Sequence, residues 1–297
     1  MRRLSKTLRT AVLASTLGAA CISSHGEAQT LPPLQTVSVY GQQIRFLEAG
    51  TGGPDLVLLH GLGSSATMDW GKVIPELSRH YHVIAMDQLG FGASEKPLIA
   101  YGIQTWVDML DGFLKARHIT HFMLAGESLG GWIAGLYTIE AAQNSSMAMP
   151  LRLVLSDAAG HKSLVEHGLP LFGPVSFSGI RTGLRWLFYN KALITDELVQ
   201  ATFRTRLAEG AQYTQESFAR NANAPDTFLD DSMKAIHVPT LVIWGQNDQV
   251  IPLADGHDFA AKIPGAHLTV IPQSGHAPSI ERPEAFLKAV EPFLAAK

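Results

Sequence analysis

Short apolar stretches alternate with amphipathic ones along most of the chain. The apolar stretches have the length and composition of strands that are buried on both faces of a sheet. They are Leu56–Leu59, Tyr81–Met86, His121–Ala125, Leu151–Leu155, Thr240–Trp244 and His267–Ile271. Between them, apolar residues recur every three or four positions, as on the buried face of a helix, over residues 70–77, 103–114, 129–137 and 283–290. This alternation predicts a mostly parallel sheet with helices on both faces and ligands at the carboxyl ends of its strands.

Two further strands precede this series. Thr36–Tyr40 and Gln43–Leu47 flank a turn at Gly41-Gln42 and predict a hairpin. With them, the predicted fold is an α/β sheet of the eight-stranded type.

The alternation stops between Gly160 and His237. Leucine and aromatic residues there recur at helical spacing, but glycine and proline interrupt the pattern. We predict a helical cap over residues 160–237, inserted after strand 6, with the core formed by residues 29–159 and 238–297. Its apolar side chains would form a substrate pocket over the site, and we expect Phe172, Trp186 and Phe203 to form the pocket wall.

Residues 1–28 have the pattern of a secretory signal peptide. A basic start precedes an apolar stretch from Ala11 to Ile22, shorter than the ~20 residues that span a bilayer. Gly26-Glu27-Ala28 offers a cleavage site, so we expect export to the periplasm or beyond. The Arg2-Arg3 pair leaves a twin-arginine route open, whereas Leu17 lies one place too early for lipid anchoring at Cys21.

Composition narrows the function further. The chain is 46% hydrophobic and 16% charged, which suffices for a substantial core. Removal of residues 1–28 takes away four basic residues and one acidic residue, Glu27, so the net charge changes from −3 to −6. A mildly acidic mature chain without a basic stretch argues against nucleic acid or an anionic membrane as partner. Cys21, the single cysteine, lies in the predicted leader, so the mature chain has neither a disulfide nor a thiol nucleophile.

The motif from Gly126 to Gly130, GESLG, directly follows an apolar strand and opens a helix. Glycines on both sides let strand and helix approach around a strained serine, whose hydroxyl is then exposed above the helix N-terminus. This context is that of a nucleophile elbow and predicts Ser128 as the nucleophile. We interpret Glu127 as structural, because this position of the elbow points away from the nucleophile.

A serine nucleophile needs a base, and the base needs a carboxylate that orients it. His276 follows the strand ending at Ile271, on a loop rich in glycine and proline. Asp248 lies just past the strand ending at Trp244 and gives the chain order serine, aspartate, histidine. Asp157 is a second candidate for the acid, but we favour Asp248 because small residues follow Asp157 and lead into the cap.

These motifs resemble the α/β-hydrolase superfamily, in particular its capped, esterase-like serine hydrolases. The resemblance covers about Thr36 to Leu294 and rests on five motifs in the family's order. They are His60-Gly61, the turn from Asp87 to Ser94, the Ser128 elbow, Trp244 to Asp248, and Ser274-Gly275-His276.

The resemblance also implies an oxyanion hole. Leu129, at the start of the elbow helix, would donate one backbone N–H. Leu62 in the loop after His60 would donate the other, with Gly63 as the fallback. His60 and the turn after Asp87 are interpreted as structural elements of the site floor.

We therefore expect a hydrolase of small carboxylic esters that forms an acyl-enzyme on Ser128, without cofactor or metal. No histidine pair has metal-ligand spacing beside a carboxylate. One alternative is a carbon–carbon bond hydrolase of vinylogous diketones from ring cleavage. Those relatives usually carry Gly-Pro-Gly where this chain has Ser64-Ser65-Ala66, and export also counts against them. A second alternative is a ligand-binding protein on the same scaffold; the oligomeric state stays open.

Overall fold

The computed structural model describes residues 30–167, 175–222, 224 and 227–296. Leu31–Lys297 forms one compact unit by its internal contacts. The predicted signal peptide, Met1 to Ala28, lies outside the described residues. Within the described part, no helix is both long enough and apolar enough to span a bilayer.

One sheet of eight strands forms the centre of this unit. The strands are β1 Gln35–Val39, β2 Gln42–Ala49, β3 Asp55–Leu59, β4 His82–Met86, β5 Phe122–Glu127, β6 Leu153–Ser156, β7 Thr240–Gly245 and β8 His267–Ile271. Their order in the sheet is β1-β2-β4-β3-β5-β6-β7-β8. β2 pairs antiparallel with β1 and β4, and all other pairs are parallel. The predicted mostly parallel α/β sheet is confirmed.

Helices cover both faces of the sheet. The α-helices of the described residues are α1 Ala66–Trp70, α2 Ile74–Leu77, α3 Ile103–Ala116, α4 Leu129–Gln143, α5 Lys162–His167, α6 Phe177–Leu187, α7 Asp196–Leu207, α8 Ala211–Asn221, α9 Leu253–Lys262, α10 Pro278–Glu281 and α11 Pro283–Ala295. Alternate residues of β3 point to opposite faces. Val57 packs in one buried cluster with α3, α4 and α9, and Leu58 in another with α1, α2 and α11.

Two local details differ from the predicted elements. The hairpin turn lies at Tyr40-Gly41, where both residues have positive φ (51° and 83°), as a type I′ turn requires. The single helix predicted over residues 70–77 is broken into α1 and α2. The break spans Gly71 to Val73, and Pro75 lies in the first turn of α2, where proline is tolerated.

Helices α5 to α8 lie between β6 and β7 and interrupt the alternation where the cap is predicted. The two ends of this helical segment meet. The Leu229 N–H donates to the Gly160 carbonyl at 2.9 Å, and His161 Nδ1 lies 2.9 Å from Asp230 Oδ1. The division of the chain into core and cap stays a prediction.

Candidate active site

Three polar side chains meet beyond the carboxyl ends of β5, β7 and β8. His276 Nε2 lies 2.9 Å from Ser128 Oγ, and its Nδ1 lies 2.7 Å from Asp248 Oδ2. The other carboxylate oxygen of Asp248 accepts the N–H groups of Val250 at 2.7 Å and Ile251 at 3.0 Å. The structure thus joins nucleophile, base and carboxylate, with the carboxylate held on both oxygens.

The elbow has the strained geometry that the motif predicts. Ser128 has φ 54° and ψ −115°, outside the regions that most residues adopt. A Cβ on Gly126 would collide with the Gly130 carbonyl, and one on Gly130 with the Leu59 carbonyl. Only glycine fits at either position, so strand and helix can close around the serine.

The loop bearing His276 is held from two sides. The His276 N–H donates to the Leu187 carbonyl at the end of α6, at 2.7 Å. The Gly275 N–H donates to Glu281 Oε1 at 2.6 Å. The helical segment therefore contributes directly to the position of the base.

The loop after β3 lies against the nucleophile. A Cβ on Gly61 would lie 3.3 Å from the Ser128 Cβ, so the loop leaves little room there. Leu62 and Leu129 both line the small space beside Ser128. Leu129 is also the first residue of α4, where backbone N–H groups lack partners within the helix. Both residues are thus near the nucleophile, and their oxyanion function stays a prediction.

Buried polar contacts hold this loop. Asp69 accepts the Gly61 N–H at 2.7 Å and the Ser64 hydroxyl. The Gln88 N–H donates to His60 Nε2 at 3.0 Å, so the His60 proton is on Nδ1, 2.7 Å from the Gly61 carbonyl. This leaves His60 with a supporting function, in line with its interpretation from the sequence.

Glu127 is buried and accepts the Ser279 hydroxyl at 2.6 Å. Burial, and next the nearby Asp69 carboxyl, hold the pKa of Glu127 well above its usual value. The Glu127 carboxyl is therefore favoured in its neutral form, and it joins the elbow to the start of α10.

Glu127→Gln should stabilise the protein increasingly as pH rises above about 5. The folded state keeps the carboxyl protonated, whereas the unfolded chain releases the proton above its ordinary pKa of 4.5. The wild type therefore loses stability with rising pH, by up to ~1.4 kcal/mol per pH unit between the two pKa values, and glutamine does not. Urea unfolding of both proteins at pH 5 and pH 8 measures the difference. If the advantage of Glu127→Gln in free energy of unfolding is smaller at pH 8 than at pH 5, Glu127 is ionised in the folded protein.

Asp157, the other acid considered from the sequence, lies at the end of β6 and is fully buried. Asp157 does not orient the catalytic histidine, because His276 Nδ1 contacts Asp248 instead. Polar atoms of Asp157, Asp248 and His276 lie within 4.8 Å of one another, and both ring nitrogens of His276 are already engaged, by Asp248 and Ser128. The sequence did not indicate this cluster, because its members lie on three different loops.

A cavity of about 590 Å³ lies over Ser128 and His276. The helical segment contributes a largely apolar wall made of Ile180, Leu184, Leu187, Phe188 and Leu198, with Thr202 and Arg206 beside it.

The predicted wall residues lie elsewhere or are not described. Trp186 is 44% exposed, and Phe203 packs against Phe177 with ring centroids 4.5 Å apart. Neither is among the described residues that line the cavity. Phe172 lies outside the described residues.

Comparison with known proteins agrees with this geometry. The profile of the alpha/beta hydrolase family matches residues 56–289. A 2-hydroxy-6-oxo-2,4-heptadienoate hydrolase from Pseudomonas putida is 33% identical over 270 residues, 86% of this chain and 94% of that protein. The crystal structure of a serine hydrolase involved in carbazole degradation has a TM-score of 0.78 at 30% identity, covering 89% of this chain and 99% of that one. A membrane phospholipase A has a TM-score of 0.76 at 28% identity, covering 88% and 85%. The chain is therefore a hydrolase that belongs to the alpha/beta hydrolase family.

Proposed function

We propose that the protein hydrolyses a carbon–carbon bond in a conjugated oxo acid of the 2-hydroxy-6-oxo-dienoate class. Ester hydrolysis, which we expect first from the sequence alone, becomes the second candidate. A 33% identical relative is named for such a substrate. The observation that carries the proposal is a cationic side chain, Arg206, on the wall of the largely apolar cavity over Ser128.

Arg206 is placed to receive a carboxylate. Leu198, Thr202 and Arg206 are four residues apart on α7 and all line the cavity. One Arg206 Nη donates to Gln212 Oε1 at 3.2 Å, while its buried Nε has no partner among the described residues. Burial lowers the pKa of Arg206, yet a guanidinium stays charged at neutral pH. A carboxylate would satisfy both its charge and its open donor.

The same residues provide the chemistry. In the keto form of the substrate, Ser128 Oγ attacks the ketone carbon while His276 takes the serine proton. The N–H groups of Leu62 and Leu129 stabilise the alkoxide. When the alkoxide collapses, the bond between the former ketone carbon and the adjacent carbon of the conjugated chain breaks. The electron pair of this bond is delocalised in the dienolate that leaves. His276 returns the proton to this leaving group, and water then hydrolyses the acyl-enzyme.

Ester hydrolysis is the second candidate. It uses the same triad and acyl-enzyme, with an alcohol as the leaving group. Two observations favour it: the Ser64-Ser65-Ala66 sequence of the oxyanion loop, and the similarity to a membrane phospholipase A. The predicted export signal also favours ester hydrolysis, because export counts against the carbon–carbon bond hydrolases.

A direct comparison of substrates separates the two candidates. Purified protein is assayed with 2-hydroxy-6-oxo-2,4-heptadienoate and with p-nitrophenyl esters of increasing chain length. We expect kcat/KM for the dienoate to exceed that for the best ester by about 100-fold, since remote binding energy at Arg206 contributes only for the acid. An ester preferred over the dienoate would establish the second candidate instead.

Arg206→Gln should lower kcat/KM for the dienoate by about 10- to 100-fold, the usual worth of a hydrogen bond to a charged group. Neutral p-nitrophenyl esters should be hydrolysed at nearly the wild-type rate. Arg204→Gln is the matched control, because Arg204 lies on the same helix but is exposed. Equal losses for the dienoate and the esters would show that Arg206 supports the cap and not the substrate.

A further inference from the structure

Asp157 lies beside the catalytic carboxylate, Asp248. It follows β6, the neighbour of β7 in the sheet, and it has a φ of 42°. Its Oδ1 accepts the Gly245 N–H at 2.8 Å, and its Oδ2 lies 3.2 Å from the Ser156 hydroxyl. A carboxyl oxygen of Asp157 also lies within 4.8 Å of one of Asp248, and both side chains are buried.

Two buried carboxyl groups this close repel each other when both are ionised, so one of them keeps a proton and can donate it in a hydrogen bond to the other. Asp248 accepts two backbone N–H groups and lies against His276 Nδ1, and such donors favour its charged form. Asp157 has fewer donors and is fully buried. The proton therefore belongs to Asp157.

We propose that Asp157, in its neutral form, donates a hydrogen bond to Asp248 and so positions the catalytic carboxylate against His276. The inference rests on the triad of the proposed function but not on which bond is cleaved. Asp157 becomes a fourth member of a chain that runs from Ser128 through His276 and Asp248, and it acts through Asp248 without touching the substrate.

The charges around Asp157 agree with this assignment. The titratable groups that face it are Asp248, Glu127 and the His276 imidazole. Burial, and next the charge of Asp248, raise the pKa of Asp157 well above its usual value. The pair then carries one negative charge, which stabilises the imidazolium formed when His276 takes the serine proton.

Two variants of the full chain form a matched test. Asn and Gly both tolerate positive φ, so either residue fits the backbone at position 157. Asp157→Asn keeps a neutral donor, whereas Asp157→Gly removes it. The rate at which a fluorophosphonate labels Ser128 is measured against pH for both variants and the wild type.

Asp157→Asn should label within about threefold of the wild type, with the midpoint of its pH profile unchanged, because no charge is lost. Asp157→Gly should label at least about tenfold more slowly, the effect of one lost hydrogen bond to a charged group. A midpoint that moves to lower pH in Asp157→Asn would show that Asp157 is ionised, and full activity of Asp157→Gly would show that it positions nothing. Either result overturns the proposal.

Unfolding measurements decide the protonation state independently of activity. A carboxyl kept neutral by the fold makes the wild type lose stability relative to Asp157→Asn as pH rises from 5 to 8. The opposite trend would overturn the proposal even if the protein failed to hydrolyse every substrate tested. This measurement also holds if Asp157→Gly does not fold.

Discussion

Ser128→Ala is expected to reduce hydrolysis by about 10⁶-fold, to background, while the protein remains folded. The loss follows from the geometry, since Ser128 Oγ is the atom that His276 Nε2 contacts at 2.9 Å. The substitution removes one oxygen and keeps the Cβ that packs against Gly61. Single-turnover assays and fluorophosphonate labelling should both fail, with an unchanged circular dichroism spectrum.

Ser178→Ala is the control for this experiment. Ser178 lines the same cavity, but its hydroxyl contacts Ser176 and not the histidine. It should be labelled and should turn over substrate like the wild type. Residual turnover of Ser128→Ala well above background would mean that another group, or water activated by His276, performs the attack.

Asp248→Asn is expected to lower kcat by about 10⁴-fold, the size measured when the acid of a serine triad is neutralised. The 2.7 Å contact to Nδ1 keeps the His276 proton on that nitrogen and leaves Nε2 free to accept the serine proton. An amide can instead donate to Nδ1, which places the proton on Nε2 and blocks the base. Steady-state kinetics on the purified variant measures the loss.

Asp157→Asn makes the same chemical change at the neighbouring strand end and serves as the control. Its Oδ1 contacts the Gly245 N–H and not the imidazole, so its kcat should fall far less. If Asp157→Asn is the more damaging substitution, the catalytic acid belongs to the loop after β6.

The triad could be located from sequence because each of its members lies within five residues of the end of a strand. In a parallel sheet, strand ends gather at one edge, so Ser128, Asp248 and His276 meet whatever the lengths of the connecting segments. The glycines at positions 126 and 130 also indicated, without a structure, that strand and helix approach too closely there for a side chain. The proximity of Asp157 to Asp248 could not be predicted from sequence, because it depends on β6 and β7 being neighbours in the sheet.

The cavity wall could not be located in the same way. Ile180, Leu184 and Leu187 lie on one face of helix α6, but periodicity cannot tell whether that face lines the site or only packs against the rest of the fold. Trp186 and Leu187 are adjacent in sequence, yet Leu187 lines the cavity and Trp186 is largely exposed. The rotation of such a helix is set by packing against the rest of the fold, here around Val199, Phe188 and Ala277.

The meeting of Gly160 and Leu229 bears on how substrate choice evolves in this architecture. A segment whose two ends leave the sheet at one point can be lengthened, shortened or recombined at little cost, since doubling a loop costs only ~0.6 kcal/mol in closure entropy. New specificities can therefore be acquired as whole inserted segments, while the strand ends that carry the reaction stay as they are. One inherited constraint remains. Any replacement segment must again place a carbonyl where that of Leu187 accepts the His276 N–H. Without it, the catalytic base His276 would be misplaced.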